Sequence, residues 1–186
     1  QKEQYYITHI LKDGMDAVTE RIDDKTGAEH IAAACESQSG VVRSVIKENK
    51  SVAPPKLYDL TTLQRDANRI FGFTAKQTLE YTQSLYEKKL VTYPRTDSQY
   101  LSDDMEETAK AVIGAVYQAI LFEEQTGAEP DIKRVLNSKK VTDHHAIIPT
   151  IEIAKTELST VPEGEMKILS LTANRLLCAT GEKQLY

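Results

Sequence analysis

The sequence predicts an α+β protein that is mostly helical, with a small strand-rich piece at its start. Three observations carry this. Apolar residues recur at helical spacing in three stretches: Leu63, Ala67 and Ile70; Met105, Ala109, Val112, Val116 and Ile120; and Leu169, Ala173 and Leu176. β-branched and aromatic residues gather instead in residues 5–11 and 41–46. Between the two kinds of pattern stands Pro54-Pro55, a natural boundary. The division expected is therefore 1–54, strand-rich; 55–180, helical; and 181–186, where Gln184-Leu185-Tyr186 reads as the first residues of a further strand. Hydrophobic residues make up 40% of the 186, enough for a buried core. The first residue is Gln rather than Met, so a fragment is expected.

Taken in order, residues 5–11 read as a strand, Lys12-Asp13-Gly14 as a turn and residues 17–22 as the hairpin partner. The alanine-rich residues 27–35 read as a short helix, and 41–46 as another strand. Thr61-x-x-Gln64 is a possible capping box opening a helix that Gly72 can end. Thr74-x-x-Gln77 opens a second helix, running to Lys88-Lys89 and carrying Leu79 and Tyr86. Helix, tight turn, helix and then a strand fit a winged-helix arrangement or an ordinary helical hairpin. Ser102 can cap a long helix whose first turn holds Asp103, Asp104, Glu106 and Glu107, as the helix dipole prefers. Gly127 and Pro130 mark a loop, and residues 141–150 read as extended. Thr160-x-x-Glu163 opens the last helix and Gly181 ends it.

Composition narrows function only a little. Net charge is −5 and the pI about 5.5, which argues against a general nucleic-acid coat. Residues 54–101, however, hold seven Lys/Arg and five Asp/Glu, a local +2 that leaves −7 for the rest. No apolar run approaches a membrane span, and no signal peptide is visible. Cys35 and Cys178 lie far apart and away from any His at zinc-like spacing, as suits a reduced, intracellular protein. No metal site is expected: His144 and His145 stand without a second ligand cluster, and the acids after Ser102 suit a solvated helix start.

The chemistry gathers in Leu90-Val91-Thr92-Tyr93-Pro94-Arg95-Thr96-Asp97-Ser98. A short β-prone run ends at Pro94, which cannot donate to a ladder. Tyr93 is then the last strand residue, and Arg95, two positions on, points to the same side of extended chain. A phenol beside a guanidinium suits attack on a phosphodiester, with arginine gripping the non-bridging oxygens. A buried tyrosine with an arginine reaching to solvent beside a turn fits these nine residues too. Gln64, Arg65 and Arg69 form a polar helix face that could equally contact a DNA backbone or face solvent.

Two further blocks flank that run: Pro54-Pro55-Lys56-Leu57-Tyr58-Asp59-Leu60-Thr61-Thr62-Leu63-Gln64-Arg65 before it, and Asp143-His144-His145-Ala146-Ile147-Ile148-Pro149-Thr150 after it. In this order and spacing the three blocks resemble type IA DNA topoisomerases, more closely the bacterial topoisomerase III branch. The resemblance implies that Tyr93 is the nucleophile, that Arg95 assists at the phosphate, and that His144 contacts the backbone phosphate at the cleavage site. It implies that Arg95 and His144 contact single-stranded DNA, with Gln64, Arg65 and Arg69 as candidate backbone contacts beside them. It implies a 5′-phosphotyrosine link, strand passage through the gap and resealing without ATP. It also implies partners outside this chain: a TOPRIM domain that binds Mg²⁺, another DNA-binding domain and the returning half of a hinge. No Asp-x-Asp triad of the TOPRIM kind occurs here, so this chain alone is expected to be inactive. A cytoplasmic, nucleoid-associated location follows from the same resemblance. The competing reading is a non-catalytic winged-helix DNA-binding module, which would bind DNA and form no adduct.

Overall fold

The computed structural model describes residues 4–46, 48, 50–119 and 129–185. It divides the chain into two compact units, Gln1–Glu48 and Asn49–Tyr186.

The first unit is a hairpin followed by a helix. Strands β1 (His9–Lys12) and β2 (Met15–Val18) pair antiparallel, with His9 opposite Val18 and Lys12 opposite Met15. Asp13 and Gly14 have φ of 51° and 81°, the left-handed pair that a two-residue type I′ turn requires. A bridge between Tyr6 and Ile22 extends the pairing. Helix α1 (Lys25–Cys35) starts at Asp24, whose side chain accepts from the Gly27 amide at 2.6 Å. The strand expected over 41–46 does not form. Val41, Val42, Val45 and Ile46 are 68–83% exposed, and no strand among the described residues pairs with them. β-propensity describes side chains that fit a half-buried sheet, and without a neighbouring strand it has nothing to act on.

The second unit holds the core. A short strand β3 (Ser51–Val52) pairs antiparallel with β4 (Gln184–Leu185). Helix α2 (Leu60–Phe71) has a capping box, but the capping residue is Asp59 with Thr62, two positions before the Thr61/Gln64 pair expected. Asp at the N-cap accepts from the third helical amide as well as Ser or Thr does, so the earlier residue wins. Gly72, at φ 71°, ends α2 in the left-handed conformation. Three residues later α3 (Ala75–Glu87) opens with the expected Thr74/Gln77 box.

The buried faces differ from the simple apolar stripes. In α2 Leu63 and Ala67 are buried, but Ile70 is 48% exposed. In α3 the buried residues are Thr78, Thr82 and Leu85. Thr78 and Thr82 donate to the carbonyls of Thr74 and Thr78, four residues back, which lets their methyl sides enter the core.

Helix α4 (Glu106–Ala119) follows a 3-10 turn over Asp103–Met105, so the acids after Ser102 spread over two elements. It buries Ala109, Val112, Ile113, Ala115 and Val116, and packs against the 3-10 segment Ile151–Lys155. Ile120 of the expected stripe and Gly127 of the expected loop lie outside the described residues, as does Tyr186.

The last helix, α5 (Glu163–Thr180), starts after Pro162 with no side-chain cap; the Thr160 hydroxyl instead donates to the Glu157 carbonyl. Ile168, Leu169, Ala173 and Leu176 are fully enclosed, and burying each large apolar side chain contributes roughly 1.5–3 kcal/mol. α5 packs on α3, where Glu165, 7% exposed, accepts from Ser84 at 2.9 Å and from Lys88 at 2.5 Å.

The α3–α5 contact leaves no room at Gly164. A Cβ there would lie 2.6 Å from Cζ of Tyr81, a ring held edge-on by Phe73. Gly164→Ala should therefore lower stability by about 1–3 kcal/mol, despite alanine's better helix propensity. Urea unfolding of the two chains checks this.

Candidate functional site

Tyr93 sits where two extended segments meet. Val91 bridges Pro149 antiparallel, the Thr92 amide donates to the Ile148 carbonyl at 2.9 Å, and the Thr150 amide donates to Leu90 at 3.0 Å. The expected strand is thus a single bridge. Pro149 has no amide to give, and Pro94 ends the other line three residues later, so the ladder cannot lengthen. Residues 146–149 are buried, and they hang from a third line as well, because the Ile147 amide donates to the Tyr58 carbonyl at 2.8 Å.

This joint brings three rings together. The Tyr93 and His144 ring centroids are 4.2 Å apart and inclined at 42°. Tyr86, near the end of α3, meets Tyr93 edge-on at 5.4 Å. Tyr93 is half-buried and His144 exposed. Arg95 is exposed and makes no hydrogen bond or ion pair among the described residues. Arg95 and His144 both line a cleft of about 440 Å³, with Asp59, Leu60, Thr61, Thr96, Asp97, Thr142 and Asp143. The structure therefore brings Tyr93, Arg95 and His144 to one place, His144 touching the tyrosine ring and lining the cleft.

Besides Arg95 and His144, the ionisable residues lining the cleft are the acids Asp59, Asp97 and Asp143. Asp59 faces inward to its own helix, Oδ1 capping α2 and Oδ2 accepting from Gln99 at 3.0 Å. Asp97 accepts from the Thr142 hydroxyl at 2.9 Å. An anion entering here meets one guanidinium and an imidazole, so their placement governs whether it is held.

Gln64, Arg65 and Arg69 do not line this cleft. Gln64 donates to the Ala75 carbonyl at 3.1 Å, tying α2 to the start of α3. Arg69 pairs with Asp66 at 3.1 Å. Arg65 is exposed, with no ion pair among the described residues.

Sequence patterning missed the cluster beneath α2. Tyr58, 1% exposed, donates to Asp66 Oδ2 at 2.8 Å. Arg175 of α5 donates to the Tyr58 oxygen at 2.9 Å, pairs with Asp66, and lies over the Tyr58 ring at 4.1 Å. Burial, with Asp66 alongside, pushes the Tyr58 phenol up to about 12, against the pull of Arg175. Burial also works on the Asp66 carboxyl, but hydrogen bonds from Tyr58 and Arg69 and the Arg175 charge outweigh it and hold the group below the usual range. The signal available was a Tyr followed by Asp eight residues later, which without the fold has no meaning. Thr92 and Thr96 were missed for a similar reason, since a threonine in extended chain gives no hint of its partner.

Among the described residues no three His, Cys, Asp or Glu side chains could hold a metal ion, and no helix is long and apolar enough to cross a membrane.

A family model described as DNA topoisomerase matches residues 1–186. The chain belongs to that family. It is a type IA topoisomerase chain of the topoisomerase III branch over most of its length. It is 42% identical over 159 residues to DNA topoisomerase 3 of Staphylococcus saprophyticus, covering 83% of this chain and 22% of that protein. To DNA topoisomerase 3 of Shouchella clausii it is 40% identical over 164 residues, 85% of this chain and 22% of that protein. The chain thus spans less than a quarter of the length of these curated relatives. The full-length topoisomerase I of Thermotoga maritima shares the fold: TM-score 0.64 at 24% identity, over 98% of this chain and 30% of that one.

The Tyr58–Asp66–Arg175 cluster ties α2 to α5, and its titration should appear in stability. The Asp66 value is lower folded than unfolded, so its stabilisation is complete above the ordinary carboxylate pKa of about 4 and is lost as pH falls through the folded value. The Tyr58 value is raised, so its contribution is complete below a free phenol's pKa of about 10 and is lost as pH rises toward about 12. Urea midpoints measured across pH should show the acid limb flattened in Asp66→Asn and the alkaline limb flattened in Tyr58→Phe.

Proposed function

We propose that this chain is the part of a topoisomerase III that carries the reacting tyrosine, and that Tyr93 is that tyrosine. The observation that supports this most is the Tyr93 ring lying against His144, which lines one cleft with Arg95, although the two segments are about fifty residues apart in sequence. None of the other described tyrosines has its ring against a histidine that lines the cleft.

In this reading a single DNA strand lies across the cleft. The Tyr93 oxygen attacks a backbone phosphorus in line and loses its proton. The bond from phosphorus to the 3′ oxygen breaks, and that oxygen takes up a proton and leaves as a hydroxyl. One phosphodiester replaces another, so little bond energy is lost, and the reverse step reseals the strand without ATP. Another strand or duplex passes through the gap meanwhile, giving relaxation or decatenation. Arg95 holds the non-bridging oxygens through its planar fork, and His144 donates a hydrogen bond to the backbone phosphate at the cleavage site. Gln64, Arg65 and Arg69 extend the contact along the strand, which requires Arg69 to exchange Asp66 for phosphate.

The reading places residues 1–54 at the start of a hinge domain, 55–180 in the tyrosine domain, and 181–186 at the return into the hinge. Activity then needs the rest of a longer protein in the cytoplasm, at the nucleoid: a TOPRIM domain that binds Mg²⁺ and a further DNA-binding domain. Mg²⁺ would supply positive charge at the phosphates of the cut strand.

Tyr93→Phe in that longer protein removes one oxygen and keeps the ring against His144. Tyrosine–DNA adduct and plasmid relaxation should both vanish while DNA binding by gel shift persists; an adduct in that variant would exclude Tyr93 as the nucleophile. Arg95→Lys keeps the charge and loses the fork, and Arg95→Ala loses both. Cleavage should fall in Arg95→Ala on the order of 100-fold, less in Arg95→Lys, and DNA affinity less than either. Single-turnover cleavage with a labelled oligonucleotide measures all three.

A further inference from the structure

The segment Tyr93-Pro94-Arg95 is bracketed by two threonines, and both use their side chains where a ladder would use backbone. The Thr92 hydroxyl donates to the Ala146 carbonyl at 3.0 Å and accepts from the Ile148 amide at 3.0 Å. The Thr96 hydroxyl donates to the His144 carbonyl at 2.8 Å and accepts from the Ser98 amide at 3.0 Å. The Thr96 carbonyl in turn accepts from the Leu60 amide at the start of α2. Thr96 is 8% exposed, so a lost hydroxyl there strands polar groups away from water.

The bonds fall at a place where backbone pairing has run out. Pro94 and Pro149 interrupt the two lines, and beyond Thr92 no backbone hydrogen bond among the described residues joins residues 93–96 to residues 143–146. The His144 ring has no hydrogen bond among the described residues; what sets it is its own backbone and the Tyr93 ring 4.2 Å away. Its backbone is held by Thr96.

We propose that Thr96, assisted by Thr92, is a positioning residue: its hydroxyl sets His144 against Tyr93 and beside Arg95, so that nucleophile, guanidinium and imidazole meet one phosphate. The proposal rests on the reading that Tyr93 forms the DNA adduct. Misplacing a reacting group by about 1 Å can cost on the order of 100-fold in rate.

The test compares Thr96→Val, which keeps the shape and removes the hydroxyl, with Thr96→Ser, which keeps the hydroxyl. In this chain, ¹H–¹³C spectra of the His144 ring report its place beside Tyr93 through the ring-current shift, with Tyr93→Leu as the reference without that ring. Thr96→Val should move these resonances toward the reference, and Thr96→Ser should keep them. In the longer protein, single-turnover adduct formation should fall on the order of 100-fold in Thr96→Val, and Thr96→Ser should restore most of it, with DNA affinity little changed in both.

Unchanged His144 resonances and wild-type adduct formation in Thr96→Val overturn the proposal. A loss that Thr96→Ser does not restore also overturns it, since the hydroxyl is then not the cause. Failure of the underlying reading is separate, because an adduct formed by Tyr93→Phe would show it. Should Thr96→Val not fold, Thr92→Val and Thr92→Ser carry the same measurements, with the same outcomes expected and the same ones contrary.

Discussion

The second unit depends on one buried extended segment, residues 146–149, and on the rule that buried backbone must be paired. The Ala146 amide donates to Tyr100, Ile147 to Tyr58 and Ile148 to the Thr92 hydroxyl; Pro149 has no amide to satisfy. Three separate stretches, around residues 58, 92 and 100, are thereby drawn to one strip. Each brings something to its edge. The first leads into α2 and its Asp59 cap, the second ends in Tyr93, and the third follows the Arg95–Ser98 turn. The cleft is where these three edges meet, so its residues need not be close in sequence.

Charge is divided in a way that sharpens the site. Two arginines near α2 are taken up by one carboxylate: Arg175 lies over Tyr58 and binds Asp66, and Arg69, itself exposed, binds the other oxygen of the same group. Among the residues lining the cleft the only Lys or Arg is Arg95, set among Asp59, Asp97 and Asp143. A partly buried ion cluster of this kind adds modestly to stability, because desolvation offsets much of the attraction. Its consequence here is geometric. It locks α2 to α5, and α2 begins at the cleft through Leu60 and Thr61. In the proposed reading, an acidic surround with one guanidinium suits a site that must release a polyanion as well as hold it, with placement rather than net charge providing selectivity.

The aromatic contacts show how the same residue type can serve two ends. Tyr81 packs on Phe73 and stands over Gly164, a core role set by helix–helix proximity. Tyr86, five residues later on α3, is 39% exposed and meets Tyr93 instead. Helical spacing places the two on different sides of α3, and only the second reaches the site.

Much of this was legible from residues alone. The Asp13-Gly14 turn, the Thr74/Gln77 capping box, the left-handed Gly72 and the mostly helical character are local effects of side chains on their own backbone, so a single chain states them. The three motif blocks named the candidates Tyr93, Arg95 and His144 through their resemblance to type IA topoisomerases. What depended on distant partners was not legible. Val41–Ile46 have the composition of a strand and no partner strand among the described residues; Thr78 and Thr82 are polar and buried; Asp59 took the cap that Thr61 could have held. The contact of Tyr93 with His144, the pairing of Arg175 with Asp66, and the use of Thr92 and Thr96 to join two proline-interrupted lines were decided by tertiary structure. The reason is that each is a pairing across 40 or more residues, or a choice among partners that only the packed core brings within reach. Sequence names the groups capable of an interaction, and the fold determines which of them meet.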